Sequence, residues 1–283
     1  MTALLIIGDS TARMLVKDAV EVYCGTHHRA WNWHNFTQGE SASVGFRCES
    51  HRAPFFAVAH LHTFGVSGTE PYWFCAPSRG LVFGCELFQT KFQHNTSSMC
   101  SACDSVRGVR AFRDALPKHI DVALLLKSNL WDVGRLAFTS TARLPTPSAF
   151  ADAYTTNMTA LTRALIQASG ATSMTWMTTT TPVENFFWTA LSNRHLVAPY
   201  GFSCDVLVNS SSNPYIHAAN LAIRTAHAAA STALVKVGLF DEERLFRHFR
   251  PKSTLLRDET HMTPQRYQEC AQHLVQALNR SVS

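Results

Sequence analysis

Ser10, Asp258 and His261 are three side chains that could together attack an ester carbonyl. A serine hydroxyl is a poor nucleophile until a base takes its proton, and an imidazole serves as that base when a carboxylate fixes its tautomer. Ser10 closes the triplet Gly8-Asp9-Ser10, and His261 closes Asp258-Glu259-Thr260-His261 almost a whole chain away. A spacing of three residues lets Asp258 orient His261 locally, so the pair would reach the serine as one unit. Each motif alone is weak. A lone Gly-Asp-Ser is usually a turn, and a lone Asp-x-x-His is common by chance, so both need a structural context.

That context is readable on either side of them. The apolar run Ala3-Leu4-Leu5-Ile6-Ile7 has the form of a buried parallel strand. Ala12, Leu15, Val16, Ala19, Val20 and Tyr23 follow at spacings of three and four, which predicts a helix over about residues 11–24. Ser10 then sits on a strand-to-helix turn, its N–H at a helix N-terminus that favours developing negative charge. His261 precedes a second helical face formed by Tyr267, Cys270, Ala271, Leu274, Val275 and Leu278. Pro264 is placed to open that helix, where a missing N–H costs little.

Further strands are predicted over 54–61, 121–126, 173–179 and 232–239. They alternate with helices near 106–116, 148–168 and 214–230. Such alternation argues for a parallel sheet covered by helices on both faces, and right-handed crossovers leave few topologies. The expected fold is therefore α/β, a three-layer doubly wound parallel sheet of five strands in the flavodoxin-like order 2-1-3-4-5. That order makes the first and third strands neighbours at the switch point, where sites form beyond the strand ends. One domain is expected over residues 1–283, with an irregular cysteine-bearing insertion at about 69–118.

Composition excludes several classes. Hydrophobic content of 46% and charged content of 16% describe a globular chain rather than a disordered one. The apolar runs fall far short of a membrane span, and no nucleic-acid motif occurs. The net charge of +5 is scattered, with a denser basic stretch over 244–257 that reads as a solvated face or an attraction for anions. No N-terminal segment has the form of a signal peptide, which points to the cytoplasm. Sequons at Asn35, Asn95, Asn157, Asn209 and Asn279 lean towards a secretory-pathway lumen instead. Of eight cysteines, four lie at Cys75, Cys85, Cys100 and Cys103. Only the last two are close enough for a metal pair, so disulfides, free thiols and zinc all stay open. The remaining histidines, including His27, His28, His60 and His62, show no metal-ligand spacing.

Two blocks bring a family into view. Gly8-Asp9-Ser10-Thr11-Ala12-Arg13 is similar to a GDSxxR block, and DVALLLKSNLWDVGR, from Asp121 to Arg135, resembles the block DLVIxNSxLWDLSR. On these motifs the chain resembles the SGNH/GDSL hydrolases, and among them the PC-esterase branch. The likeness is coarse over most of the chain and weakest over 24–118. It implies an SGNH hydrolase fold and an esterase or O-acyltransferase with Ser10, Asp258 and His261 as its triad. The family block has Asn where this chain has Lys127. By spacing, Asn129 takes the place of the family's oxyanion-donating Asn, with a plain loop cap as its other reading. The Ser10 N–H is the first oxyanion donor that the resemblance implies. A glycine N–H after the second strand is another, with Gly65 preferred to Gly68 because it lies nearer the strand end.

Arg13, one turn beyond Ser10, reads as a ligand for an acyl or sugar oxygen, or as the partner of an acid such as Asp132. Trp131 reads as pocket wall or core. The expected activity is hydrolysis or transfer of an O-acyl group, acetyl foremost, on a small-molecule or glycan ester, with no metal or organic cofactor. A glycan O-acetyltransferase would use the same triad and differ only in excluding water. A catalytically idle binding module is the rival from another class. Oligomeric state stays open.

Overall fold

The computed structural model describes residues 1–33, 44–63, 65–66, 101–127, 130, 132–133, 145–180, 213–230, 235–248, 255 and 261–282. Asp258, Asn129, Trp131 and residues 69–100 of the expected insertion lie outside these residues. In chain order the elements are β1 (Thr2–Gly8), α1 (Ser10–Asp18), α2 (Val20–Cys24), β2 (His28–Ala30), β3 (Val44–Cys48), β4 (Ala57–His62) and α3 (Ser101–Asp114). There follow β5 (Asp121–Lys127), α4 (Pro147–Ser169), β6 (Ser173–Met177), α5 (Asn213–Ala230), β7 (Lys236–Phe240), α6 (Glu242–Phe246) and α7 (Pro264–Val282).

The strands form one seven-stranded mixed sheet in the order β2-β3-β4-β1-β5-β6-β7. From β4 to β7 every pairing is parallel, and β2 and β3 add to the β4 edge in antiparallel fashion. The expected five-stranded, all-parallel sheet is thus corrected to seven strands. The two additional strands were invisible for a physical reason. β2 is three residues long and largely exposed, and β3 carries Gly45 and Arg47 in a five-residue run. β2 is too short to show a pattern, and β3 alternates Val44, Phe46 and Cys48 with Gly45 and Arg47 over only five residues, too short a run to stand out before its pairing to β4 is known. A disulfide between Cys24 and Cys48 ties the end of α2 to β3, among cysteines that sequence reasoning had not paired.

The helix expected over 11–24 is two helices, broken at Ala19 (φ −117°, ψ 11°). All six residues of its predicted face are nevertheless buried, because α2 turns only enough to keep following the sheet. The long helix α4 is capped by the Thr146 hydroxyl, carries Pro147 in its first turn and stops at Gly170 in the left-handed region (φ 62°).

Alternation along the strands sorts two cores. Ala3, Leu5 and Ile7 of β1 pack with α3, α4 and α5, whereas Leu4 and Ile6 pack with α1, α2 and α7. Each fully buried Leu or Ile contributes about 1.5–3 kcal/mol. Among the described residues no helix is long and apolar enough to cross a membrane.

Candidate active site

Ser10 stands where β1 becomes α1. Gly8 ends the strand, and only glycine fits there: a Cβ would lie 2.1 Å from the Lys127 carbonyl oxygen of β5 and 2.6 Å from the Ala12 Cβ. Asp9 is the N-cap. Its Oδ1 accepts the Thr11 N–H at 2.8 Å and the Thr11 hydroxyl at 2.6 Å, while its backbone oxygen accepts the Arg13 N–H at 3.0 Å. The cap satisfies donors that a helix start leaves open and leaves Ser10 as the first helical residue, half-buried at the carboxyl edge of the sheet. Asp9 thus braces the turn.

His261 arrives from the other end of the chain. Its segment is held by the Thr263 N–H donating to the Leu255 carbonyl at 3.1 Å, after which Pro264 opens α7. Tyr267, Cys270, Ala271 and Leu274 of α7 are fully buried beside α1, in the core that also holds Leu15 and Val16. This packing brings His261 Nε2 to 2.9 Å from Ser10 Oγ, across a sequence separation of 251 residues. The two side chains are within hydrogen-bond reach, the first geometric requirement of a serine–histidine nucleophile and base. Asp258, the expected orienter of His261, is outside the described residues.

The loop after β4 forms the neighbouring wall. The Thr63 N–H donates to the Gly8 carbonyl at 2.8 Å, and the Thr63 hydroxyl donates to the Gly65 carbonyl at 3.2 Å. Gly65 has φ 116°, and a Cβ there would sit 2.5 Å from the Asp132 carboxylate. That carboxylate accepts the Val66 N–H at 3.0 Å, which ties the helical residues after β5 to the loop after β4. Glycine is required at 65 both by conformation and by space. Asn129 and Trp131 lie outside the described residues; Leu130 and Val133, near them in sequence, are buried.

Arg13, half-buried on α1, directs its positive charge at two histidines of β4. His60 and His62 lie on the α1 side of the strand, their rings 5.7 Å apart. Burial and the Arg13 charge push His62 down to about 3, and burial, His62 and Arg13 push His60 well below its usual range. Both are neutral at any ordinary pH. His60 Nε2 lies 3.1 Å from the Gly8 carbonyl oxygen, directly beneath the serine turn. In the sequence these two stand out only as histidines without metal-ligand spacing. Their signal was two polar residues at i and i+2 on a strand face that should be apolar. Among the described residues no group of three or more His, Cys, Asp or Glu gathers as a metal would require.

Lys127 ends β5. Its ammonium is buried and paired with Glu242 Oε2, while Glu242 Oε1 accepts the Thr180 N–H at 2.9 Å. The pair therefore joins the ends of β5 and β6 to the start of α6. Cys270 of α7 lies against it, with a thiol pushed well up by burial and by Glu242. A buried protonated thiol is inert, so Cys270 is a core residue rather than a nucleophile.

No family model matches this chain, and no curated protein does. Two solved structures align along its length. One is a carbohydrate esterase family 3 from Talaromyces cellulolyticus, 14% identical, with a TM-score of 0.47, covering 100% of this chain and 98% of that one. The other is an acetyl esterase mutant with acetate ion, 13% identical, with a TM-score of 0.43, covering 100% of both chains. Identities this low leave the chemistry to the geometry of the site itself.

Proposed function

We propose that this protein is a serine esterase that removes an O-acyl group, acetyl foremost, from a small-molecule or glycan ester. The observation that carries the reading is the 2.9 Å approach of His261 Nε2 to Ser10 Oγ at the carboxyl edge of the sheet. Ser10 attacks the ester carbonyl as His261 takes its proton on Nε2. For Nε2 to accept, the ring hydrogen must sit on Nδ1, and Asp258 is the carboxylate assigned to hold it there. The tetrahedral oxyanion is met by the Ser10 N–H at the start of α1, with the Gly65 N–H and the Asn129 side chain as the further donors. His261 then returns its proton to the leaving alcohol, and water resolves the acyl-enzyme by the same steps. Arg13 and Trp131 are assigned to the substrate side of the site. None of these steps draws on a metal or organic cofactor.

The test is covalent labelling with a fluorophosphonate together with turnover of an aryl acetate. Wild-type protein should do both, and Ser10→Ala should do neither while melting at the wild-type temperature, with a loss in kcat on the order of 10³–10⁶. Near wild-type hydrolysis by folded Ser10→Ala would sink the assignment. Acyl transfer to an added oligosaccharide in preference to water would mark the same site as a transferase.

A further inference from the structure

We propose that His60 is a positioning residue for Ser10, its Nε2–H donating to the Gly8 carbonyl and thereby locking the strand-to-helix turn that presents the nucleophile. The inference rests on the esterase reading above and adds a member to that site.

The Gly8 carbonyl has only acceptor capacity, so the nitrogen 3.1 Å from it must carry the hydrogen. His60 is completely buried, and its Nδ1 finds no hydrogen-bond partner among the described residues. Such an arrangement strips the orphaned nitrogen of water without replacing the hydrogen bond, which is unfavourable. Stability alone does not call for it, because the Gly8 carbonyl is already satisfied by the Thr63 N–H at 2.8 Å. Leucine or valine would suit the position better, as Val58 does two residues earlier on the same face.

What the second bond adds is direction. The Gly8–Asp9 peptide is where β1 leaves the sheet, one residue before the Asp9–Ser10 peptide that carries the serine. One carbonyl held from two sides, by Thr63 in the plane of the sheet and by His60 from the α1 face, cannot swing about its neighbouring dihedrals. Downstream, the Asp9 carboxylate fixes Thr11 and the Asp9 carbonyl fixes the Arg13 N–H. The turn is therefore clamped on both sides of Ser10, and Gly8 has no side chain with which to supply a clamp of its own. The groups facing His60 are His62 on its own strand, Arg13 on α1 and the Gly8 and Asp9 backbone at the turn from β1 to α1. With His62 and Arg13 so close, burial keeps the ring uncharged and in the single tautomer that donates to Gly8.

The experiment compares His60→Gln, His60→Asn and His60→Leu in the full chain. A glutamine amide nitrogen reaches about as far as Nε2, whereas an asparagine amide stops near Nδ1. Steady-state hydrolysis of an aryl acetate, the rate of fluorophosphonate labelling and thermal melting are measured on each. His60→Gln should keep kcat within about threefold of wild type, while His60→Asn and His60→Leu lose about 10²-fold in kcat at nearly unchanged KM, the scale expected for a small misplacement of a nucleophile. If His60→Leu does not fold, the contrast between the two amides still decides. Equal kcat in His60→Gln and His60→Asn, or loss only in proportion to lowered melting temperature, overturns the positioning role while leaving the esterase reading intact. A wild-type protein that neither hydrolyses the ester nor takes the label overturns both.

Discussion

Lys127 and Glu242 form an ion pair in which each side chain is 1% exposed, at the carboxyl ends of the strands that carry the candidate site. Removing one partner strands the other charge in the core. Lys127→Met should therefore cost about 3–5 kcal/mol in urea denaturation. Lys127→Met combined with Glu242→Gln should recover much of that loss, since Gln keeps an acceptor for the Thr180 N–H. A double variant no better than the single would show that the pair is not the source of the cost.

Gly8→Ala tests the close approach beneath Ser10. The added methyl would meet the Lys127 carbonyl and the Ala12 Cβ, so β1, β5 and α1 must part. A stability loss of about 1–3 kcal/mol or more is expected, with ester turnover falling further than the melting temperature alone would predict. Wild-type stability in Gly8→Ala would contradict the packing described at this joint.

His62 gives the fold an acid limb. Its value is about 3 in the folded chain against 6.5 unfolded, so below pH 6.5 the unfolded chain binds a proton that the folded chain refuses. The stabilising contribution is full above pH 6.5 and drains as pH falls towards 3, at roughly 1.4 kcal/mol per pH unit. His60, held down by the same surroundings, acts in the same direction. Melting temperature measured from pH 7 to pH 4 should fall steadily, and His62→Gln should flatten that slope. An unchanged slope in the variant would assign acid sensitivity to other groups.

The remaining members of the assigned machinery are tested by kinetics. Asn129→Ala should lower kcat by about 10²-fold with little change in KM, as loss of one oxyanion donor does. Asp258→Asn should cost on the order of 10⁴ in kcat by favouring the wrong imidazole tautomer. Full activity in either variant would move the donor or the orienting carboxylate to another residue.

The parts of the candidate site were legible because each is local. Five apolar residues mark β1, spacings of three and four mark α1 and α7, and Gly-Asp-Ser and Asp-x-x-His stand at their junctions. Periodicity reports which side chains share a face, and short motifs report which turns are possible, since both follow from backbone geometry over a few residues. The break at Ala19 escaped because one residue can leave the helix without disturbing the apolar stripe. The strands β2 and β3 escaped because runs of three and five residues are too short to stand out until β3 pairs with β4 and β2 with β3.

Only the tertiary structure decided that His261 stands 2.9 Å from Ser10, that His60 reaches the Gly8 carbonyl, and that Lys127 finds Glu242. These contacts join residues 251, 52 and 115 positions apart. Nothing in a local pattern encodes such a meeting. It depends on which sheet edge each strand takes and which helix covers it, a choice made by burial of the whole core at once. The sequence by itself determined which residues could act. The packing of α1 and α7 over one face of the sheet determined which of them touch.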